Sequence, residues 1–229
     1  MSVPLAKLAI AAVIWFCIHP AIAGSGLRSR LVAKLGEPAF RGLFSLLSLG
    51  SLVFLITAYR GAPCQPLWTT PRVLLRLPAS VMPVAFTLLV GAFTVPNPTA
   101  VGGERALAAE SAARGALRVT RHPFLWSVAL WSGSHLVVYG NLASLLFFGS
   151  LCLTALVGMR DIDRKRQRAQ PEHFARYSAA TSSFPFAAIV AGRNQLVFRE
   201  LLLPGIIGVV LTALFLIFHE RLFHVAPLP

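Results

Sequence analysis

Residues 120–139, TRHPFLWSVALWSGSHLVVY, decide how this chain is read. The stretch opens on a basic turn, Arg121-His122-Pro123, and continues as an apolar segment long enough to enter a bilayer. One titratable residue, His135, lies deep inside it beside Gly133 and Ser134. Imidazole in hydrocarbon needs a partner, so a histidine at this depth marks a functional site whose other half lies elsewhere in the chain.

Similar apolar segments recur on both sides. Over half of the 229 residues are apolar and 13% are charged, against roughly 25% charged in soluble domains. The expected fold is all-α: a polytopic transmembrane bundle of six spans near 3–23, 40–59, 79–95, 123–139, 142–159 and 201–218. The spans are helical because a lipid-exposed backbone must satisfy its own hydrogen bonds. The third is the weakest, being short, carrying Pro83 and ending at Pro96-Asn97-Pro98, so five spans with a re-entrant third is the alternative. Only Gly140-Asn141 separates spans four and five, which predicts an antiparallel helical hairpin. Residues 1–229 thus read as a single membrane domain.

The net charge of +13 is spread between the spans rather than gathered on one face, which argues against nucleic acid as a partner. It speaks instead to orientation in a lipid bilayer. The loops after spans one, three and five carry 4, 4 and 8 basic residues, and the opposite side carries Lys7, Arg60, Arg72, Arg76 and Arg221. Sixteen against five places the three basic loops in the cytoplasm and both termini outside. Lys7, the apolar run after it and Ala21-Ile22-Ala23 also resemble a signal peptide with its cleavage site. Cleavage would strand the first basic loop on the wrong side, so span one is read as retained.

Residues 160–195 form a charged, amphipathic cytoplasmic loop within that domain. It begins as a polar continuation of span five, Pro171 breaks or restarts the helix, and Phe184-Pro185-Phe186 returns to the membrane surface. Cys17, Cys64 and Cys152 form no C-x-x-C pair and read as small packing residues.

Six histidines remain to be sorted. His173, His219 and His224 read as solvated or interfacial. His122 sits at the cytoplasmic mouth of span four. His19 lies in span one and is followed by Pro20, which removes a backbone donor and can kink the helix. Counting about 1.5 Å per residue from the nearest basic edge puts His135 about 21 Å and His19 about 14 Å deep. They are offset by about 7 Å in a core about 30 Å thick. Two neutral imidazoles facing each other at such depths can ligate a haem iron from both sides. The alternative is that each merely hydrogen-bonds a serine or a carbonyl on a neighbouring helix. No carboxylate lies within these spans, so a zinc site lacks ligands, and no glycine-rich phosphate loop or nucleophile elbow is present. Asp161 and Asp163, at the end of span five, read as partners for nearby arginines.

The segments LGEPAFRGLFSLLSL, ARGALRVTRHPFLWSVALWSGSHL, YGNLASLLFFG and SSFPFAAIVAGR resemble, in order, the NnrU family of bacterial inner-membrane proteins. That resemblance implies a multi-pass inner-membrane protein linked to denitrification and nitric-oxide metabolism, with nitrogen-oxide respiratory components as partners. The pattern is similar to plant and cyanobacterial zeta-carotene isomerase, which holds haem b between two membrane histidines and isomerises a carotenoid double bond. Carried over by motif, those ligands fall on His19 and His135, implying haem b and a hydrophobic small-molecule substrate. Two further histidines of the isomerase have no counterpart, their approximate positions holding Arg60 and Thr154. A second resemblance is to isoprenylcysteine-type methyltransferases. It rests on Arg121-His122-Pro123, the following hairpin, an acidic residue at Asp161 or Asp163, and Tyr177. It implies S-adenosylmethionine held near Arg121 and His122. A non-enzymatic assembly factor for a respiratory complex is the third reading.

Overall fold

The computed structural model of the chain describes residues 2–109 and 112–227. Among them it is helical throughout, with one isolated bridge between Pro66 and Asn141 in place of any strand. The helices are α1 (Val3–Ile18), α2 (Gly26–Leu35), α3 (Glu37–Arg60), α4 (Leu77–Gly91), α5 (Ala116–Val119), α6 (Pro123–Val138), α7 (Leu142–Ala169), α8 (Pro171–Ala180), α9 (Ala187–Val190) and α10 (Phe198–Phe223). Prolines stand in the first turn of α1, α3, α4, α6 and α8, where a missing N–H costs no helical bond. Asn141 caps α7, its side chain accepting from Ser144 N at 2.9 Å.

Among the described residues five helical stretches are long and apolar enough to cross a membrane: Val3–Ile22, Glu37–Arg60, Arg72–Gly91, Leu142–Ala169 and Phe198–Phe223. The third apolar segment, expected to be the weakest, is therefore of full length, because the turn at Arg72–Leu74 extends α4 backwards. Pro83 is accommodated inside it, and the Thr87 hydroxyl donates to the Pro83 carbonyl at 2.7 Å. The segment that falls short is the fourth. Helix α6 has 16 residues, about 24 Å of rise. It can be short because it lies between α4 and α7 rather than against lipid. Its Ser127, Ser132 and Ser134 are buried and donate to backbone carbonyls of their own helix at 2.7, 2.6 and 3.0 Å.

Neighbouring helices follow the order α10, α4, α6, α7, α1, α3, with α3 also touching α7. The core holds Leu5, Leu8 and Ala11 of α1, Leu55 of α3 and Phe147, Phe148 and Leu151 of α7. At the α4–α10 seam a Cβ on Gly208 would lie 2.7 Å from Thr87 N and Oγ1, so only glycine allows this approach.

The loops sort into two ends. Glu37 pairs with Arg28 and Arg41, Arg41 reaches Glu104 at 3.5 Å, and Glu104 lies 2.9 Å from Arg166. These ion pairs join the first, third and fifth loops at one basic end. At the other end Leu67 N and Trp68 N donate to Gly140 O at 2.7 and 3.1 Å, and Leu142 N donates to Gln65 O at 2.9 Å. A Cβ on Gly140 would overlap the Trp68 carbonyl, so the strap between α3 and α4 lies directly on the α6–α7 turn. Helix α6 therefore runs from one end of the bundle to the other, and the hairpin expected of α6 and α7 is present.

Helix α7 spans 28 residues, about 42 Å against an apolar core of about 30 Å. Its last turns project beyond the bilayer at the basic end, as its charged sequence predicts. Pro171 restarts the chain as α8, and Phe184 and Phe186 follow with 67% and 47% exposure. These values fit an interfacial segment.

Candidate functional site

Each deep histidine follows a tryptophan by one turn. His19 Nδ1 lies 2.8 Å from the Trp15 carbonyl, and His135 Nδ1 lies 2.7 Å from the Trp131 carbonyl. A carbonyl only accepts, so both rings carry their proton on Nδ1. Nε2 is then left as a lone-pair donor, and among the described residues it has no hydrogen bond in either ring. This is the tautomer that a metal-binding imidazole needs, oriented by a backbone oxygen behind it. His19 packs against Trp15 and Phe44, at centroid distances of 4.6 and 5.8 Å. His135 lies among Trp131, Phe148 and Tyr139, at 5.8, 5.2 and 6.2 Å. Trp15 Nε1 is buried without a hydrogen-bond partner among the described residues.

No ring contact joins the two histidines among the described residues, and their helices do not pack on each other. Helices α1 and α6 border α7 instead. With α7 as a ruler, His135 sits at Phe148, while Gly24, five residues beyond His19, sits against Asp161, where a Cβ would lie 2.7 Å from Oδ2. At about 1.5 Å per residue along α7 this puts the His135 ring and the His19 backbone about 12 Å apart in depth, against the about 7 Å expected from the basic edges. Helix α1 gives way to a π-helical turn at His19–Ala23, closed by Gly24 N donating to His19 O at 3.0 Å, so a regular rise between Arg28 and His19 does not hold. Each ring is held one turn back toward the N-terminus of its own helix, His19 against Phe44 of α3 and His135 against Phe148 of α7. The donor chemistry and tautomers of both imidazoles suit metal ligation.

A second cluster forms at the basic end. Arg121 Nε donates to both Asp163 oxygens at 3.0 and 2.9 Å, and Nη2 donates to Oδ2 at 2.6 Å. His122 Nε2 meets Asp163 Oδ1 at 2.9 Å. Three fixed bonds set this geometry: Arg121 N donates to Ser182 O, Thr120 Oγ1 to Ser183 O, and Thr99 Oγ1 to Arg121 O. Helix α8 closes the cluster with Phe174 under the Arg121 guanidinium and with Tyr177. His122 is 1% exposed and Tyr177 4%. Burial holds the His122 imidazole below its ordinary range despite Asp163, and burial pushes the Tyr177 hydroxyl well up. Asp163 thus takes an arginine as expected, and His122 with it, while Asp161 only approaches Arg164 at 3.8 Å.

Sequence reasoning missed Arg166, counted only as a positive charge. It is 4% exposed and donates to the carbonyls of Pro98 and Ala100 at 2.7 and 3.0 Å. The aromatic walls around the two histidines were also missed, although Trp15 and Trp131 at the same spacing before each were a visible signal.

Residues 7–227 match the family model described as NnrU protein. The chain belongs to the NnrU family. This NnrU protein is 30% identical over 184 residues to 15-cis-zeta-carotene isomerase, chloroplastic, of Arabidopsis thaliana, covering 77% of this chain and 49% of that protein. It is 33% identical over 82 residues to the Zea mays protein of the same name, covering 36% and 22%. The NnrU chain spans about half the length of the Arabidopsis relative it matches. No solved structure matches it significantly.

Proposed function

We propose that this NnrU protein binds one haem b between His19 and His135 and isomerises an apolar, unsaturated substrate drawn from the bilayer. Carrying the reading is the matched pair of imidazoles, each with Nδ1–H bonded one turn back and Nε2 free, on antiparallel helices. Bound there, haem supplies an iron centre able to polarise or exchange an electron with an unsaturated ligand. The chain's own residues do the rest. Trp131 and Trp15 carbonyls fix the tautomers, while Phe44, Phe148 and Tyr139 exclude water and present flat apolar surfaces. The isomerase named among its relatives acts on zeta-carotene. Arg60 and Thr154 stand where that resemblance expects histidines, so the substrate class carried over is apolar and no narrower. The membrane proposed is a bacterial inner membrane, in which the positive-inside rule would turn the basic end to the cytoplasm.

A nitrogen-oxide-linked role of the same centre is the second reading, favoured by membership of NnrU. Reduced-minus-oxidised absorption spectra of protein expressed with haem supply test the shared premise. A Soret band is expected in the wild type and is lost in both His19→Ala and His135→Ala. A folded wild type without that band refutes the haem reading and leaves a non-enzymatic assembly role in its place.

A further inference from the structure

Two polar atoms beside the Arg121–Asp163 pair are buried without a hydrogen-bond partner among the described residues: His122 Nδ1 and the Tyr177 hydroxyl. A buried group left unpaired costs about 1–3 kcal/mol, so two unpaired atoms on side chains that both interact with Asp163 call for a reason. Their valences differ. The Asp163 carboxylate only accepts, so His122 carries its proton on Nε2, 2.9 Å from Oδ1, and Nδ1 is a bare acceptor. Tyr177 retains a donor. The charge between them is cancelled, because Arg121 holds Asp163 bidentately. The site therefore discriminates against ions and suits a neutral group that both donates and accepts.

We infer that His122 Nδ1 and Tyr177 bind the hydroxyl of a neutral amphiphile at the basic mouth of the bundle, the hydroxyl donating to Nδ1 and accepting from Tyr177. Position favours an amphiphile over a water-soluble alcohol. The cover is α8, a 10-residue helix restarted at Pro171, and the chain after it exposes Phe184 and Phe186 at the depth where headgroups meet acyl chains. A ligand reaching His122 beneath α8 crosses that interface with its hydroxyl leading. The hydroxyl can come from a quinol or from a neutral glycerolipid such as diacylglycerol.

Tyr177→Phe is the probing variant, since it removes only the unpaired oxygen and should fold as well as the wild type. In phosphatidylcholine nanodiscs, decylubiquinol is titrated against both proteins, followed by Trp126 fluorescence. In a second arm the thermal midpoint is compared between phosphatidylcholine nanodiscs with and without diacylglycerol, in the absence of quinol. A quinol source gives saturable binding to the wild type, about fivefold weaker in Tyr177→Phe. A lipid source gives a diacylglycerol-dependent rise in midpoint that Tyr177→Phe reduces. Equal responses of the two proteins in both arms overturn the proposal, as does a wild type unmoved by either probe, the result expected if a buried water alone bridges the two atoms. Neither arm depends on haem, so the site stands or falls apart from the proposal for His19 and His135.

Discussion

Replacing Asp163 by asparagine keeps the side-chain volume and removes the charge on which two side chains converge. Arg121 makes three contacts to it between 2.6 and 3.0 Å, and His122 adds a fourth at 2.9 Å. The side chains of Arg121 and Asp163 are 15% and 18% exposed, and that of His122 is fully covered. Breaking a buried pair at one partner costs about 3–5 kcal/mol. Partial exposure puts this one at the lower end, about 3 kcal/mol, which in a chain of this size lowers the thermal midpoint by about 6–12 °C. Arg121→Gln leaves a carboxylate that His122 can still meet, so it should cost less, about 2 kcal/mol. The double variant carries no stranded charge, and its loss should fall short of the sum by about 2 kcal/mol. Midpoints followed by tryptophan fluorescence in detergent micelles complete the cycle, with Trp126 reporting from beside the cluster through its bond to Ser183 O. If the two losses add within about 0.5 kcal/mol, the pair is not coupled and the cluster is not the unit described here.

Further outcomes follow from the same coordinates. Gly208→Ala forces a Cβ to 2.7 Å from Thr87 N and should cost about 1–3 kcal/mol relative to Gly205→Ala, which meets nothing within 4 Å on the same helix; equal midpoints would contradict the α4–α10 seam. Because burial lowers the folded pKa of His122, the unfolded chain takes up that proton first. The contribution is therefore complete above the unfolded value of 6.5 and lost as pH falls through it toward the folded value. His122→Gln, still able to donate to Asp163 beside Arg121 and Tyr177, should flatten the fall in midpoint between pH 7 and pH 5.5, and an unchanged slope would count against burial of a neutral imidazole. Cys64 is exposed in the strap between α3 and α4. A membrane-impermeant maleimide should label it in right-side-out spheroplasts and not in inverted vesicles; the reverse pattern would invert the assigned orientation.

Much of this architecture was legible because hydrocarbon permits so few alternatives. Apolar length alone located α1, α3, α4, α7 and α10, and the Gly140-Asn141 break between two apolar runs announced the α6–α7 hairpin. What misled was treating Pro83 as a mark of weakness. A proline inside a helix frees the carbonyl four residues before it, here that of Ala79, yet α4 runs on through Pro83 at full length, while the segment that is short has three serines that bond to their own backbone. Charge was legible as direction but not as structure. Arg166 counted toward the cytoplasmic loops, yet its carbonyl partners lie 66 and 68 residues away, beyond any local pattern. At the candidate site the identity of the histidines was visible and their relation was not. Depth counted from two membrane edges assumes regular helix between, and the π-helical turn after His19 breaks that assumption.

That turn has a further consequence. A hydrogen bond closed over five residues instead of four holds one residue more than a regular α-helix needs, so His19–Ala23 behaves as a one-residue insertion absorbed in place. Removing Ala21 would let α1 run on as regular helix and rotate everything after it by about 100°. Gly24 would leave Asp161. The register between the end of α1 and α7 is thus phased by a single supernumerary residue adjoining the histidine on which the proposed chemistry depends.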